Sequence, residues 1–137
     1  MLKRKNYPHL AQPVGPYVQA VKHRGLLFLS GLTALGSAAQ GRSVTDQLAA
    51  IGEAIGNIAK SERTDLSALV KVTLFVTSLQ FASELNAAWS EHFGGCSAMS
   101  SLMQVGKLVS PDVLVEAHAV LALREDTSLV PGVARDI

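Results

Sequence analysis

The feature that most constrains this chain is the run at residues 113–123, V-L-V-E-A-H-A-V-L-A-L. Alternation puts Val113, Val115, Ala117, Ala119 and Leu121 on one side of a strand, with Leu114, Glu116, His118, Val120 and Ala122 on the other. A strand apolar on both sides needs cover on both. Glu116 stands in the middle of it, and an ionised carboxylate among Val, Leu and Ala is costly unless something pairs with it or hydrates it. Glu116 is therefore the first candidate for chemistry. Residues 97–105, S-A-M-S-S-L-M-Q-V, read as a preceding strand, and Ser110-Pro111-Asp112 supply turn chemistry. Residues 97–123 are accordingly expected to form a hairpin.

Residues 1–13, punctuated by Pro8 and Pro13, read as an extended arm whose basic cluster, Lys3, Arg4 and Lys5, is solvated. Residues 18–21 and 26–30 read as strands turned by His23-Arg24-Gly25, and residues 31–41, rich in Gly, Ala and Ser, as a loop. Ser43 caps a helix, with Asp46 three residues on in a variant capping box. Val44, Leu48, Ile51, Ile55 and Ile58 recur at four- and three-residue spacing, which is one helical face. Gly52 and Gly56 each cost about 1 kcal/mol against Ala in that helix; their spacing suggests a close approach to a sheet. Residues 70–76 alternate as a strand. Phe81, Leu85, Trp89 and Phe93 at four-residue spacing mark a second helix, ended by Gly94-Gly95. Residues 1–123 form one domain in this reading, and residues 124–137 a tail that is loose or lies on the surface.

The order is strand, strand, helix, strand, helix, strand, strand. Two amphipathic helices cover one face of such a sheet and leave none for the other. A further copy of the chain is the simplest cover, with Glu116 and His118 turned towards it. A hydrophobic fraction of 48% in 137 residues points the same way. The net charge of +1 provides no field for nucleic acid or an acidic membrane. Cys96 is the single cysteine, which excludes an internal disulfide and fits a reducing compartment. The start, M-L-K-R-K-N-Y-P-H, lacks the apolar core of a secretory signal, and no apolar run reaches the roughly 18 residues of a membrane span. The expectation is a cytoplasmic homo-oligomer without nucleic-acid or membrane partners. His9, His23, His92 and Cys96 lack metal-ligand spacing, and there is no nucleophile elbow or phosphate loop, so no metal or cofactor is expected.

Several stretches together resemble one family. V-G-P-Y-V-Q-A (14–20), L-F-L-S-G (27–31), L-V-K-V-T-L-F-V-T-S-L (69–79), F-A-S-E-L-N-A-A-W (81–89) and L-V-S-P-D-V-L-V-E-A-H-A-V (108–120) resemble the RidA/YjgF proteins, the reactive-intermediate deaminases. The likeness covers about residues 8–123. It implies an α+β fold of the chorismate-mutase-like kind, a mixed sheet with two helices on one face, and a homotrimer with a small-molecule pocket between subunits. Deaminating members hydrolyse enamines and imines such as 2-aminoacrylate and 2-iminopropanoate. Their fourth strand carries a pattern close to P-A-R-S-C, whose arginine grips the substrate carboxylate, a task suited to the guanidinium fork. Here the stretch is Ser97-Ala98-Met99-Ser100-Ser101, so Met99 stands at the arginine position and Ser101 at the cysteine position. By the same likeness Tyr17, Ser30, Gly31, Asn86 and Glu116 line the pocket or handle water. The resemblance implies a pocket kept and its anion clamp lost.

Each of these residues also has a plainer reading. Glu116 either orients and activates water or is a hydrogen-bonded structural acid at a subunit interface. Met99, expected on one face with Ser101 and Met103, either fills a gap in the core or forms an apolar pocket wall that changes the ligand class. Tyr17 either offers its hydroxyl to a ligand or packs. His118, two residues from Glu116 on the same face, either replaces the missing cation or is a satisfied histidine of the strand. Lys107, at a strand end, is solvated. The activity expected is hydrolytic deamination of a small imine or enamine, weak or absent on 2-iminopropanoate. The alternative is a trimer that binds a small molecule without turnover. A ribonuclease or translation inhibitor fits poorly with near-neutral charge and no aromatic-basic surface.

Overall fold

The computed structural model of the chain describes residues 2–13, 15–93 and 98–124. Six strands, β1 (Lys3–Lys5), β2 (Ala20–His23), β3 (Leu26–Leu29), β4 (Leu69–Val76), β5 (Met99–Gln104) and β6 (Val115–Ala122), form one sheet in the order β1-β2-β3-β6-β4-β5. Among the described strands, β4 and β5 alone pair in parallel. Helices α1 (Val44–Ser61) and α2 (Ala82–His92) form the second layer. The α+β class with two helices is as expected, and the strand order corrects one expectation.

Residues 97–123 are not a hairpin. β4 lies between β5 and β6 and pairs with both. The reason is the α2 crossover, which returns the chain beside β4 in the same direction, so β5 is a parallel edge strand. Residues 105–114 then carry the chain past β4 into the slot between β3 and β4, which β6 fills antiparallel to both. Turn residues at 110–112 serve a strand-skipping connection as well as they would a tight turn. Ser97, the expected start of the stretch, lies outside the described residues, as do Cys96, the Gly94-Gly95 stop and the tail beyond Arg124.

α1 forms where its cap and periodicity place it. The Ser43 hydroxyl oxygen accepts from the Asp46 amide at 3.1 Å, satisfying one free donor of the first turn. Val44, Leu48, Ile51, Ile55 and Ile58 are all buried against the sheet. They meet Leu27, Leu29, Val72, Leu74, Val76, Val115, Ala117, Ala119 and Leu121, the inward positions of β3, β4 and β6. Each such side chain contributes about 1.5–3 kcal/mol of burial. The glycines of α1 do not serve an approach to the sheet. A Cβ on Gly52 would lie 3.1 Å from the Phe93 ring at the end of α2, so Gly52 seats one helix against the other, and Gly56 faces open space.

The N-terminal arm is more ordered than its composition suggests. Residues 3–5 form the edge strand against β2, although Lys3 and Arg4 are exposed. Lys5 and Lys22 reach Glu62, the C-cap of α1, at 2.5 and 2.6 Å, and the Tyr7 hydroxyl donates to it at 2.9 Å. Gln19 holds the same arm, accepting from the Tyr7 amide and donating to the Ala11 carbonyl. Buried Gln47 plays the corresponding part at the other end of α1. Its Nε2 donates to the Arg42 and Asp112 carbonyls, and its Oε1 accepts from the Leu114 amide, which fixes the entry to β6.

Among the described residues, no helix lies on the second face of the sheet. Phe28 and Met103 are 43% and 51% exposed on it, and Phe75 and Val120 lie there half-buried. This is the face on which the alternation of residues 113–123 places Glu116 and His118.

Candidate functional site

The uncovered face is ordered in rows by strand register. Met103, Phe75 and Glu116 form one row across β5, β4 and β6, and Ser101, Thr73 and His118 form the next. Met99, Lys71 and Val120 form the third, which continues onto Phe28 of β3. Met99 is placed by this backbone register; its side chain lies outside what the structure describes.

Glu116 and His118 are two residues apart on β6, so both point to this face. His118 Nε2 and Glu116 Oε2 are 2.6 Å apart. The glutamate side chain is 25% exposed and the histidine 49%. The cover that Glu116 demanded from sequence is thus partly supplied by His118. Across β4, the Phe75 ring lies 4.6 Å from the imidazole at 53°, a tilted contact that limits how the imidazole turns.

The loop after β3 closes over the pair. Leu32 and Ala117 exchange two backbone hydrogen bonds of 2.9 Å, laying the loop along β6. Gly31 consequently passes beside the carboxylate. A Cβ there would lie 2.3 Å from Glu116 Oε2 and 3.0 Å from His118 Nε2, so only glycine fits without displacing the acid. Ser30 anchors this loop from the other side. Its amide donates to the Gln19 carbonyl, and its hydroxyl donates to the Val18 carbonyl at 2.6 Å.

The other expected site residues are more dispersed. Tyr17 is exposed, with its ring against Gly15. Ser101 is exposed on β5, two strand spacings or about 10 Å from β6. Asn86 is exposed on α2, in the helix layer, away from the Glu116 face of the same chain. One chain therefore brings together Gly31, Glu116 and His118, with Ser30 behind the loop. Asn86, in the helix layer, joins them only if a neighbouring copy supplies the missing side. Lys71, exposed one row from His118, is a cation that the sequence reading passed over. The alternation of residues 70–76 was the available signal, and the register that puts Lys71 beside β6 was not.

Two further features belong to the helix layer. Glu62 is 4% exposed. Burial pushes its carboxyl up, but hydrogen bonds from Lys22, Lys5 and Tyr7 outweigh that and hold it at about 2. The same burial, with the hydrogen bond to Glu62, pushes the Tyr7 phenol up. An open groove of about 600 Å³ follows the outer side of α1 past His9, Arg42, Asp46 and Glu53, and shares no residue with the Glu116 site. Among the described residues, no cluster of three His, Cys, Asp or Glu side chains is arranged to hold a metal, and no helix is long and apolar enough to cross a membrane.

Comparison with known proteins bears on this arrangement. Residues 8–123 match the family described as Endoribonuclease L-PSP. A curated relative, Reactive Intermediate Deaminase A of Arabidopsis thaliana, a chloroplastic protein, is 31% identical over 112 residues, covering 79% of this chain and 60% of its own. A solved yeast structure superposes with a TM-score of 0.81 at 24% identity, over 90% of this chain and all of its own. The structure of E. coli TdcF with bound serine has a TM-score of 0.76 at 26% identity, over 90% of this chain and 99% of the other.

Proposed function

We propose a function on one premise, that the chain belongs to the Endoribonuclease L-PSP family, the RidA/YjgF proteins. In this reading it is a hydrolytic deaminase of a small imine or enamine, working in a pocket between the subunits of a cytoplasmic homotrimer. Glu116, in contact with His118, sets up the water for attack, while Tyr17, Ser30, Gly31, Asn86 and Ser101 supply the remaining contacts, some from a neighbouring subunit. The observation that carries the reading is the Glu116–His118 pair, held under Gly31 on a sheet face that no helix covers. Its support from kinship is the relative named as a reactive-intermediate deaminase. The ribonuclease in the family's description finds no support in a chain of net charge +1.

Met99 narrows the substrate. A carboxylate in a partly dehydrated pocket needs a positive partner, and a hydrogen bond to a charged group contributes about 1.5–3 kcal/mol. Losing a bidentate arginine at this position costs roughly two powers of ten in kcat/KM on 2-imino acids, at about 1.4 kcal/mol per tenfold. The test is an imine-hydrolysis assay with 2-iminopropanoate produced by an amino-acid oxidase, on the natural protein and on Met99→Arg. Weak natural activity that rises in Met99→Arg is expected. Natural activity as high as that of an arginine-bearing relative refutes the substrate assignment. Light scattering is expected to return three times the chain mass, and a monomer at micromolar concentration refutes the intersubunit pocket.

A second reading is favoured by one observation, that the related E. coli TdcF holds serine. The pocket then binds a small molecule without turnover. Calorimetric binding of an amino acid, with no ammonia released from any imine tested, selects this reading.

A further inference from the structure

We infer that His118 is the general base of the site, with its Nδ1 taking the proton from water and Glu116 holding the ring in the tautomer that allows it. This rests on the hydrolase reading and assigns the proton transfer to a residue of this chain other than the glutamate. It also names the substrate class as imines without a carboxylate.

His118 Nε2 and Glu116 Oε2 stand at hydrogen-bond distance, 2.6 Å. An ionised carboxylate only accepts, so Nε2 carries the hydrogen and donates it. In a neutral imidazole the other nitrogen, Nδ1, then holds the lone pair. Among the described residues Nδ1 has no hydrogen-bond partner, and the side chain is 49% exposed, so water reaches it. The Phe75 ring steadies the imidazole, and Gly31 leaves room for the carboxylate beneath the loop. This is a base oriented by an acid, the relation that activates water in many hydrolases.

The same contact argues against His118 as a substitute for the arginine. If the ring is protonated, its charge is matched by Glu116 at 2.6 Å, and the pair as a whole offers no net positive charge to a substrate carboxylate. The surroundings agree. β6 itself brings Glu116 to His118; β4 brings Thr73 and Phe75, with Lys71 one row away; β3 brings the uncharged Leu26 and Phe28; β5 brings Ser101 and Met103. The loop brings Gly31, which has no side chain to titrate. Phe28, Phe75 and Met103 make this an apolar and aromatic setting, suited to a carboxylate-free imine.

The step balances without a cofactor. As Nδ1 takes one proton from water, the water oxygen bonds to the carbon of a protonated imine, and the C=N pair moves onto nitrogen. The imidazolium returns its proton to that nitrogen. The C–N bond then breaks with its electron pair leaving on ammonia, the C=O forms, and the hydroxyl proton passes to Nδ1 and on to ammonia as ammonium.

The probe is the N–H ketimine that an amine oxidase releases from 1-phenylethylamine, its loss followed by ultraviolet absorbance on the assembled protein. His118→Gln is expected to lower kcat/KM by about 10²- to 10⁴-fold. Because His118→Gln can disturb assembly, ¹⁵N spectra of the natural protein provide a second measurement. They are expected to show His118 with its hydrogen on Nε2, and Glu116→Gln to mix the tautomers. His118→Gln within threefold of the natural protein overturns the base assignment and leaves the hydrolase standing. So does a natural protein whose His118 hydrogen sits on Nδ1. No hydrolysis of this ketimine or of 2-imino acids removes the hydrolase reading and this one with it.

Discussion

Glu62→Gln is the substitution whose consequence the structure fixes most closely. Glu62 is 4% exposed and is the common partner of Lys5, Lys22 and Tyr7. Its carboxyl falls from the ordinary 4.5 to about 2, because those three hydrogen bonds outweigh the opposing effect of burial. A depression of that size corresponds to about 3 kcal/mol at 1.36 kcal/mol per pH unit. The two lysines are each about one-third exposed, which screens them and trims the figure to about 2–3 kcal/mol. The folded-state pKa is the lower one, so this stability is fully present above about pH 4.5 and is lost as pH falls towards 2. Glu62→Gln is therefore expected to cost about 2–3 kcal/mol at pH 7, read as a shift in the urea midpoint with an unchanged slope. The gap from the natural protein should narrow to about 1 kcal/mol at pH 3. A gap under 0.5 kcal/mol at pH 7, or one that stays constant down to pH 3, refutes the account of this cluster as the lock between the N-terminal arm and α1.

Two other substitutions probe the site and its support. Gly31→Ala places a Cβ 2.3 Å from Glu116 Oε2 and displaces the carboxylate from His118, so at least a tenfold loss of imine hydrolysis is expected with little change in stability; unchanged turnover removes Gly31 from the site. Gln47→Leu keeps the volume but strands the Arg42 and Asp112 carbonyls and the Leu114 amide, at about 1–3 kcal/mol for each group left unpaired. A thermal or urea measurement showing less than 1 kcal/mol of loss means that water replaces the side chain there.

What the sequence made legible was local, and what it hid was register. The α1 stripe from Val44 to Ile58, the Ser43 cap and the two-sided run at 113–123 are patterns within one element, and all three appear in the structure. The partner of β6 could not be read the same way. A strand apolar on both sides looks alike at the edge of a hairpin and in the middle of a sheet, and turn residues at 110–112 suit either path. The Glu62 cluster was hidden for a related reason. Lys5 lies 57 residues away in sequence, and a single acid at a helix end carries no local sign that two strands will bring lysines to it. Gly31 was named through a family likeness, and its steric reason, the approach of Glu116 Oε2, is a fact of three dimensions.

The register also relates Met99 to His118. Met99 stands at the start of β5, at the sheet edge, where the family pattern has an arginine, while His118 stands on β6, two strands inward and one row along. In the proposed reading the site has no cation at the edge that can face a ligand, and a histidine on a central strand faces Glu116 instead. An edge arginine fixes a substrate anion, whereas a central histidine bound to a glutamate governs a proton. On this reading, restoring arginine at position 99 adds an anion site without removing the base. Met99→Arg then extends hydrolysis to 2-imino acids while keeping that of carboxylate-free ketimines, and the gain on imino acids still depends on His118. A Met99→Arg, His118→Gln double variant that hydrolyses 2-iminopropanoate as fast as Met99→Arg alone separates the two residues and returns the proton transfer to Glu116.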